Sequence, residues 1–409
     1  MKKMIVLISF CSIVLLLSSG CKQKTTEPSD AGTVQYIVKP QHDIPWPSLG
    51  QTAWPKALHD AQCTGRSSYN GPANGRVKAS ITVANFATDP VMGPDSVFYI
   101  VADTSFYAVT LNGTQLWNVN LGRVHGLQNY NSPILTSDGA LLVGTNNGIS
   151  AFNKNGALLW NTQLNDAVIL KSCAVGLDGS IFVISYSGTL YGISKSGAIL
   201  WQKNAPSGDF TWGTMQTIPF APDGSMFYVG GSTAQQSLYA INTNGEILWS
   251  DSLGGMQHGA ISVDVDGNVY TYSGDDLVSV SPTGKVRWRV VGAGRNWNVT
   301  IDPNGNIAYL SNGNLVLVDN NGQKRWSVPV GMDDFQTHIV CDASGTFYIE
   351  TADNVPTYKV QAISNSGKTL WTVPVDALVK TGGPALTREG YLIFPQEGMP
   401  LPKYVCVIE

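Results

Sequence analysis

Histidines, cysteines, neighbouring carboxylates and aromatics outside any repeat are the residues here that could bind or react, and their spacing discriminates among chemistries. His125, His258 and His338 are three of the five histidines and lie far apart in sequence. None has the short ligand spacing of a preformed zinc site, so no metal is assigned. Asp333-Asp334 and Asp275-Asp276 are adjacent pairs. In extended chain such neighbours face opposite ways, which gives no acid–base couple. Asp264-Val265-Asp266-Gly267-Asn268 has the outline of a calcium loop, but its glycine comes fourth and no bidentate glutamate follows. We read it as a hairpin turn. The six cysteines form no C-x-x-C and no adjacent pair, which excludes a zinc knuckle or a redox motif. Cys173 and Cys341 lie in apolar, strand-like runs and are expected to be buried single thiols; the pairing of Cys63 and Cys406 is left open. No Ser/His/Asp order, nucleophile elbow or phosphate-binding glycine loop is present. What remains is binding chemistry, from Trp212, Arg295 and Trp297, side chains that dominate interface hot spots and stack on sugars.

The elements that position these residues follow from composition and repetition. The chain has 409 residues, of which 13% are charged, against roughly 25% in an average globular protein. It carries 43 glycines and 11 tryptophans. Few charges argue against long solvated helices, and many glycines with many tryptophans argue for short strands joined by tight turns. With 25 basic and 29 acidic residues there is no basic field for nucleic acid.

A glycine followed four residues later by tryptophan recurs at Trp117, Trp160, Trp201, Trp249, Trp288, Trp326 and Trp371, at spacings of 43, 41, 48, 39, 38 and 45. That period matches one four-stranded propeller blade. Seven turn pairs run from Asp138-Gly139 to Glu389-Gly390 and supply the positive φ of a tight hairpin, and Pro94-Asp95-Ser96 takes the same place ahead of the first copy. Eight turns are present for seven tryptophans. After the last turn, Tyr391–Phe394 and Lys403–Glu409 supply two strands and the chain ends. Tyr404-Val405-Cys406 aligns with Tyr239-Ala240-Ile241, just where another glycine and tryptophan fall due. The missing strand appears at the other end as Gly75–Val83, with Ala79 in the tryptophan place. The expected fold is all-β: an eight-bladed β-propeller of four-stranded antiparallel blades, closed by an N-terminal strand completing the C-terminal blade. Each repeat tryptophan is expected to lie across the junction with the next blade, its N–H on a backbone acceptor.

The strings Tyr107–Trp117 and Tyr239–Trp249, with Trp54-Pro55 and His59–Ser67 ahead of the repeats, resemble the pyrroloquinoline-quinone-like (PQQ-like) β-propeller family over about residues 54–409. One branch is the quinoprotein dehydrogenases, which hold PQQ and Ca²⁺ over the channel. This chain lacks their adjacent cysteines and long inter-blade insertions. The other branch is non-catalytic lipoproteins, including the accessory propeller of the outer-membrane β-barrel assembly machine. Lys2, Lys3, the apolar run Met4–Leu17 and Ser18-Ser19-Gly20-Cys21 resemble a bacterial lipoprotein signal, with Cys21 lipidated. The domains are therefore a signal at 1–20, a lipidated Cys21 with a polar tether at 21–53, and the propeller at 54–409.

The loops leading from one blade to the next contain His125, Lys171, Asp209, Phe210, Trp212, His258, Arg295, Trp297, Asp333, Asp334, Phe335, His338 and Lys380. His125, Trp212, His258, Arg295, Trp297 and His338 are the candidate contacts. The resulting expectation is a monomeric, non-enzymatic propeller without cofactor, lipid-anchored outside the cytoplasm to the outer or cytoplasmic membrane. It would bind an envelope protein or polysaccharide. A PQQ/Ca-dependent dehydrogenase, with its base among Asp209, Asp333 and Asp334, is the alternative, and surface glycan binding a third.

Overall fold

The structure is a computed structural model. It describes residues 39–409 except 84–86, 123–131, 146, 165–167, 186–187, 205–216, 233–234, 255–259, 295–297, 333–337, 355–356, 376–381 and 397–402. The described chain forms eight antiparallel sheets, seven of four strands and one of three, numbered in chain order as blades 1 to 8 from the one that begins at Val91–Met92 to the one that begins at Ala385–Leu386. Blade 5 shows the plan: Ser262–Val263 is innermost, Val269–Ser273 and Asp276–Val280 follow, and Val286–Val290 is outermost. In blade 4 the inner strand shrinks to a bridge between Phe220 and Met226. The two middle strands of each blade carry the core; Val269, Tyr270, Tyr272, Leu277, Val278 and Val280 are fully buried. Each such strand is apolar on both sides because both of its faces meet a neighbouring blade.

Closure follows the expected route. Val77–Val83 runs antiparallel to Lys403–Ile408 and is the outer strand of the sheet holding Leu392–Gln396 and Ala385–Leu386. The expected alignment of the last strand was off by two residues. Ala79 pairs with Val407 as Trp249 pairs with Ala240, so Cys406-Val407-Ile408 is the counterpart of Tyr239-Ala240-Ile241. A shift of two keeps every side chain on its own face, so the alternating pattern could not detect it.

The repeat glycine and tryptophan meet across blades. Each tryptophan indole lies under the turn glycine of the following blade: a Cβ built on Gly284 would stand 2.8 Å from Trp249, on Gly322 2.9 Å from Trp288, and on Gly75 2.4 Å from Trp371. The indole N–H donates to a carbonyl of that same turn, Trp249 to Pro282 at 2.8 Å, Trp288 to Asn320 at 2.7 Å and Trp371 to Pro72 at 3.0 Å. Glycine is needed twice over, for a positive φ and for the missing Cβ. At the closing strand Gly113 lies over Ile81 instead, because Ala79 has no ring to offer. The distinction is measurable. Gly284→Ala is expected to cost about 2–3 kcal/mol, combining left-handed strain with a clash on the indole. Gly139→Ala has φ +84 but nothing within 4 Å, and should cost only about 1 kcal/mol. Equal midpoint shifts for the two in urea titrations would refute the junction argument.

Candidate functional site

The stretch expected to be a tether is in part a structural element. Residues 39–53, ahead of the expected start of the propeller at 54, pack on the blades. Lys39 pairs with Asp266 at 2.6 Å, and the Gln41 N–H donates to Pro303, placing the start of the segment on the turns of blades 5 and 6. A few residues later the Trp46 indole donates to Val175 in blade 3 at 2.7 Å, and Leu49 bridges Thr136 in blade 2. The chain thus straps across one mouth of the channel. Burial of Trp46 and Leu49 supplies the driving force, which the polar appearance of the neighbouring residues concealed.

Residues 54–67 then wind round the inside of the ring as a plug. Trp54 and Pro55 carbonyls accept from Met92 and Leu135 of blades 1 and 2; Ala61, Gln62, Thr64 and Gly65 accept from Phe220, Val263, Ile301 and Cys341 of blades 4 to 7. Inner strands that would otherwise end in an open channel are paired through this segment. The winding takes unusual backbone: Leu58, His59 and Cys63 have φ of 58°, 74° and 55°, each in the left-handed region without being glycine. Such strain persists only where surrounding contacts impose it.

Those contacts are polar and buried. The Lys56 ammonium donates to the Ala57 carbonyl at 2.9 Å, to the Asp60 carbonyl at 3.1 Å and to Cys63 Sγ at 3.0 Å. All three of its protons are used, and the loop is wrapped around them. Burial pushes the Cys63 thiol up, against the opposing pull of Lys56. Asp60 accepts from the Thr64 N–H at 2.9 Å and from its hydroxyl at 2.5 Å. Burial disfavours its charged form, but His59, Arg66 and Thr64 outweigh that and hold the carboxyl below its ordinary value. His59 Nδ1 stands 3.7 Å from Asp60 Oδ2, and Arg66 stands 3.5 Å from Asp43 Oδ1 on the strap. Oxygen and nitrogen atoms of Asp43, His59 and Asp60 all lie within 4.8 Å of one another. Apart from its pairing with Asp60, the buried His59 Nδ1 has no hydrogen-bond partner among the described residues.

Of the residues expected to make contacts, His125, Trp212, His258, Arg295 and Trp297 lie outside the described residues, as do Asp209, Phe210, Asp333, Asp334, Phe335 and Lys380. Lys171 lies on a strand, Val168–Val175, rather than in a loop. His338 is described and is not an exposed contact: it is 8% exposed, and a Cβ on Gly383 would stand 3.0 Å from its ring. It directly precedes the inner strand Ile339–Cys341 and is buried. Asp264 accepts from Asp266 and Asn268 N–H groups at 2.9 and 2.8 Å, the hairpin expected of that motif. Cys63, Cys173 and Cys341 are buried free thiols, and Cys406 is buried as well.

The family model described as outer membrane protein assembly factor BamB matches residues 64–191, 146–296 and 186–368. Three overlapping placements are what a repeated blade produces. Among solved structures, BamB from Moraxella catarrhalis is 16% identical, with 82% of this chain and 97% of that one covered and a TM-score of 0.59. The C-terminal WD40 domain of Sif2 is 12% identical, with 83% and 99% covered and a TM-score of 0.62. Virginiamycin B lyase from Staphylococcus aureus is 13% identical, with 66% and 94% covered and a TM-score of 0.50. At these identities the likeness is one of fold. No curated protein matches the chain.

Proposed function

The chain belongs to the family of the outer membrane protein assembly factor BamB, and from that premise we propose that it is a non-enzymatic, lipid-anchored envelope propeller that binds a protein partner. One observation carries the proposal. The outer strands of blades 1 to 4 expose Leu116, Leu158, Leu159, Ile199, Leu200, Ile247 and Leu248, each 45–58% accessible. They form a row along strands whose outward edge pairs with no other strand among the described residues. Blade 6 presents Lys324 and Arg325 at the corresponding positions, and blades 5 and 7 expose one apolar residue each, Val286 and Leu370, so the row is densest on blades 2 to 4, which expose two each. An exposed apolar edge is a hazard unless something covers it, and a partner strand or helix covers it best. The sequence features at Cys21 supply the envelope placement; among the described residues no helix is long and apolar enough to cross a membrane. The loop residues Trp212, Arg295 and Trp297 would extend the contact surface. The test is affinity capture from the native envelope. Leu159→Arg/Leu200→Arg is expected to lose the captured protein by about tenfold or more, as for hot-spot truncation, with an unchanged melting temperature. Trp212→Ala/Trp297→Ala tests the loops separately. Equal recovery with all three chains would refute the reading.

A further inference from the structure

We propose that Asp43, His59 and Asp60 form a binding site for one divalent transition-metal ion that clips the N-terminal strap to the channel plug. This goes beyond the scaffold reading and does not depend on it. The three side chains come from two segments that the fold brings together, and their oxygen and nitrogen atoms lie within 4.8 Å of one another. An ion bound tetrahedrally at ~2.1 Å sets its ligands ~3.4 Å apart, so the side chains must draw together by up to about 1.4 Å, a rotamer-scale adjustment, to complete the set. His59 supplies the directional feature. Its side chain is 7% exposed, its Nδ1 stands 3.7 Å from an Asp60 carboxylate oxygen, and that nitrogen makes no closer hydrogen bond among the described residues. A buried imidazole nitrogen beside a carboxylate, held by no closer hydrogen bond among the described residues, has a lone pair that can ligate a metal ion.

One imidazole with two carboxylates suits Zn²⁺ or Mn²⁺ better than Ca²⁺, which takes oxygen alone. Arg66 is the competitor, 3.5 Å from Asp43. Its guanidinium also donates to the Ile301 carbonyl at 3.3 Å and lies in the field of Asp302, so Asp43 is not its sole acidic neighbour. A divalent ion can therefore take Asp43 without leaving Arg66 unpaired. The site would work as a latch. Asp43 is 37% exposed and sits where the strap crosses the mouth, whereas His59 and Asp60 are fixed in the plug. Metal would hold the strap down, and its loss would free the segment leading back to the N-terminus.

The experiment uses the full chain in detergent, freed of metal with chelator, with ZnCl₂ and MnCl₂ as probes against MgCl₂ and CaCl₂. Calorimetric titration should give one site per chain for Zn²⁺ and no saturable site for Ca²⁺. Asp43→Asn should weaken Zn²⁺ about tenfold or more while leaving the melting temperature of the metal-free chain unchanged. His59→Gln should abolish the Zn²⁺-dependent rise in melting temperature, and Asp43→Asn keeps the test valid if that buried variant misfolds. Zn²⁺ should also slow tryptic cleavage after Lys39. Absence of Zn²⁺ binding overturns the proposal, and so does binding that both variants leave intact. A metal-independent loss of stability in His59→Gln, with no Zn²⁺ effect in the wild type, would show that His59 serves only as an ion-pair partner of Asp60.

Discussion

Removing residues 54–84 is expected to yield no soluble monomer. The deletion takes away two things that the rest of the chain cannot replace. One is the strand Val77–Val83, without which Lys403–Ile408 becomes an exposed edge at the closing blade. The other is the plug, whose carbonyls accept from the inner strands of blades 1, 2, 4, 5, 6 and 7 and whose Trp54 and Cys63 are fully buried. Together these exceed the about 5–15 kcal/mol by which an ordinary domain is stable. Ultracentrifugation of the expressed chain should find it aggregated. Supplying residues 54–84 as a separate peptide during expression should restore part of the soluble ring, because the lost contacts are not covalent. A soluble, cooperatively melting monomer without the segment would mean that the blades close by another route.

The ring itself is legible in the sequence because its determinants are local and repeated. A turn glycine four residues before a tryptophan says which strand is outermost, and each glycine turns out to receive the preceding blade's indole. The two-residue error in the last strand has the opposite cause. Alternation has a period of two, so only the bulge between Val77 and Ala79, visible as a register shift in the pairing, fixes the alignment.

The plug and strap are less legible because nothing in them repeats. Trp46-Pro47 inside a polar stretch was the available signal, since an indole there has no reason to stay in water. Lys56 gave none. A lysine reads as a solvated charge, and only the folded path of residues 57–63 shows that its ammonium is the centre of the turn. His59 and Asp60 stood within a string that resembles other PQQ-like propellers, but Asp43 lay outside it. The triad exists only because the strap crosses the mouth.

Among single substitutions, Asp89→Ala should be the most damaging. Asp89 lies at the seam where the first and last blades meet, 3% exposed. One of its oxygens accepts from the Gly383 N–H of blade 8, and the other accepts from the Ser132 hydroxyl of blade 2 at 2.5 Å. A single carboxylate therefore joins three successive blades at the point where the ring is tied by hydrogen bonds instead of by continuous chain. Charge-assisted bonds of this kind are roughly twice as strong as neutral ones. Alanine leaves a buried N–H and a buried hydroxyl without an acceptor, each costing about 1–3 kcal/mol. It also opens a small cavity beside His338, whose ring packs on Gly383. The expected loss is about 3–5 kcal/mol, read as a shift in the urea midpoint at constant slope. Asp89→Asn keeps one acceptor oxygen and should lose about half as much. If both variants melt like the wild type, closure resides in the outer strand alone. The deletion should then behave no worse than the loss of Val77–Val83 by itself. A steep loss in Asp89→Ala with a partial one in Asp89→Asn would place the seam at the channel wall as well as at the rim.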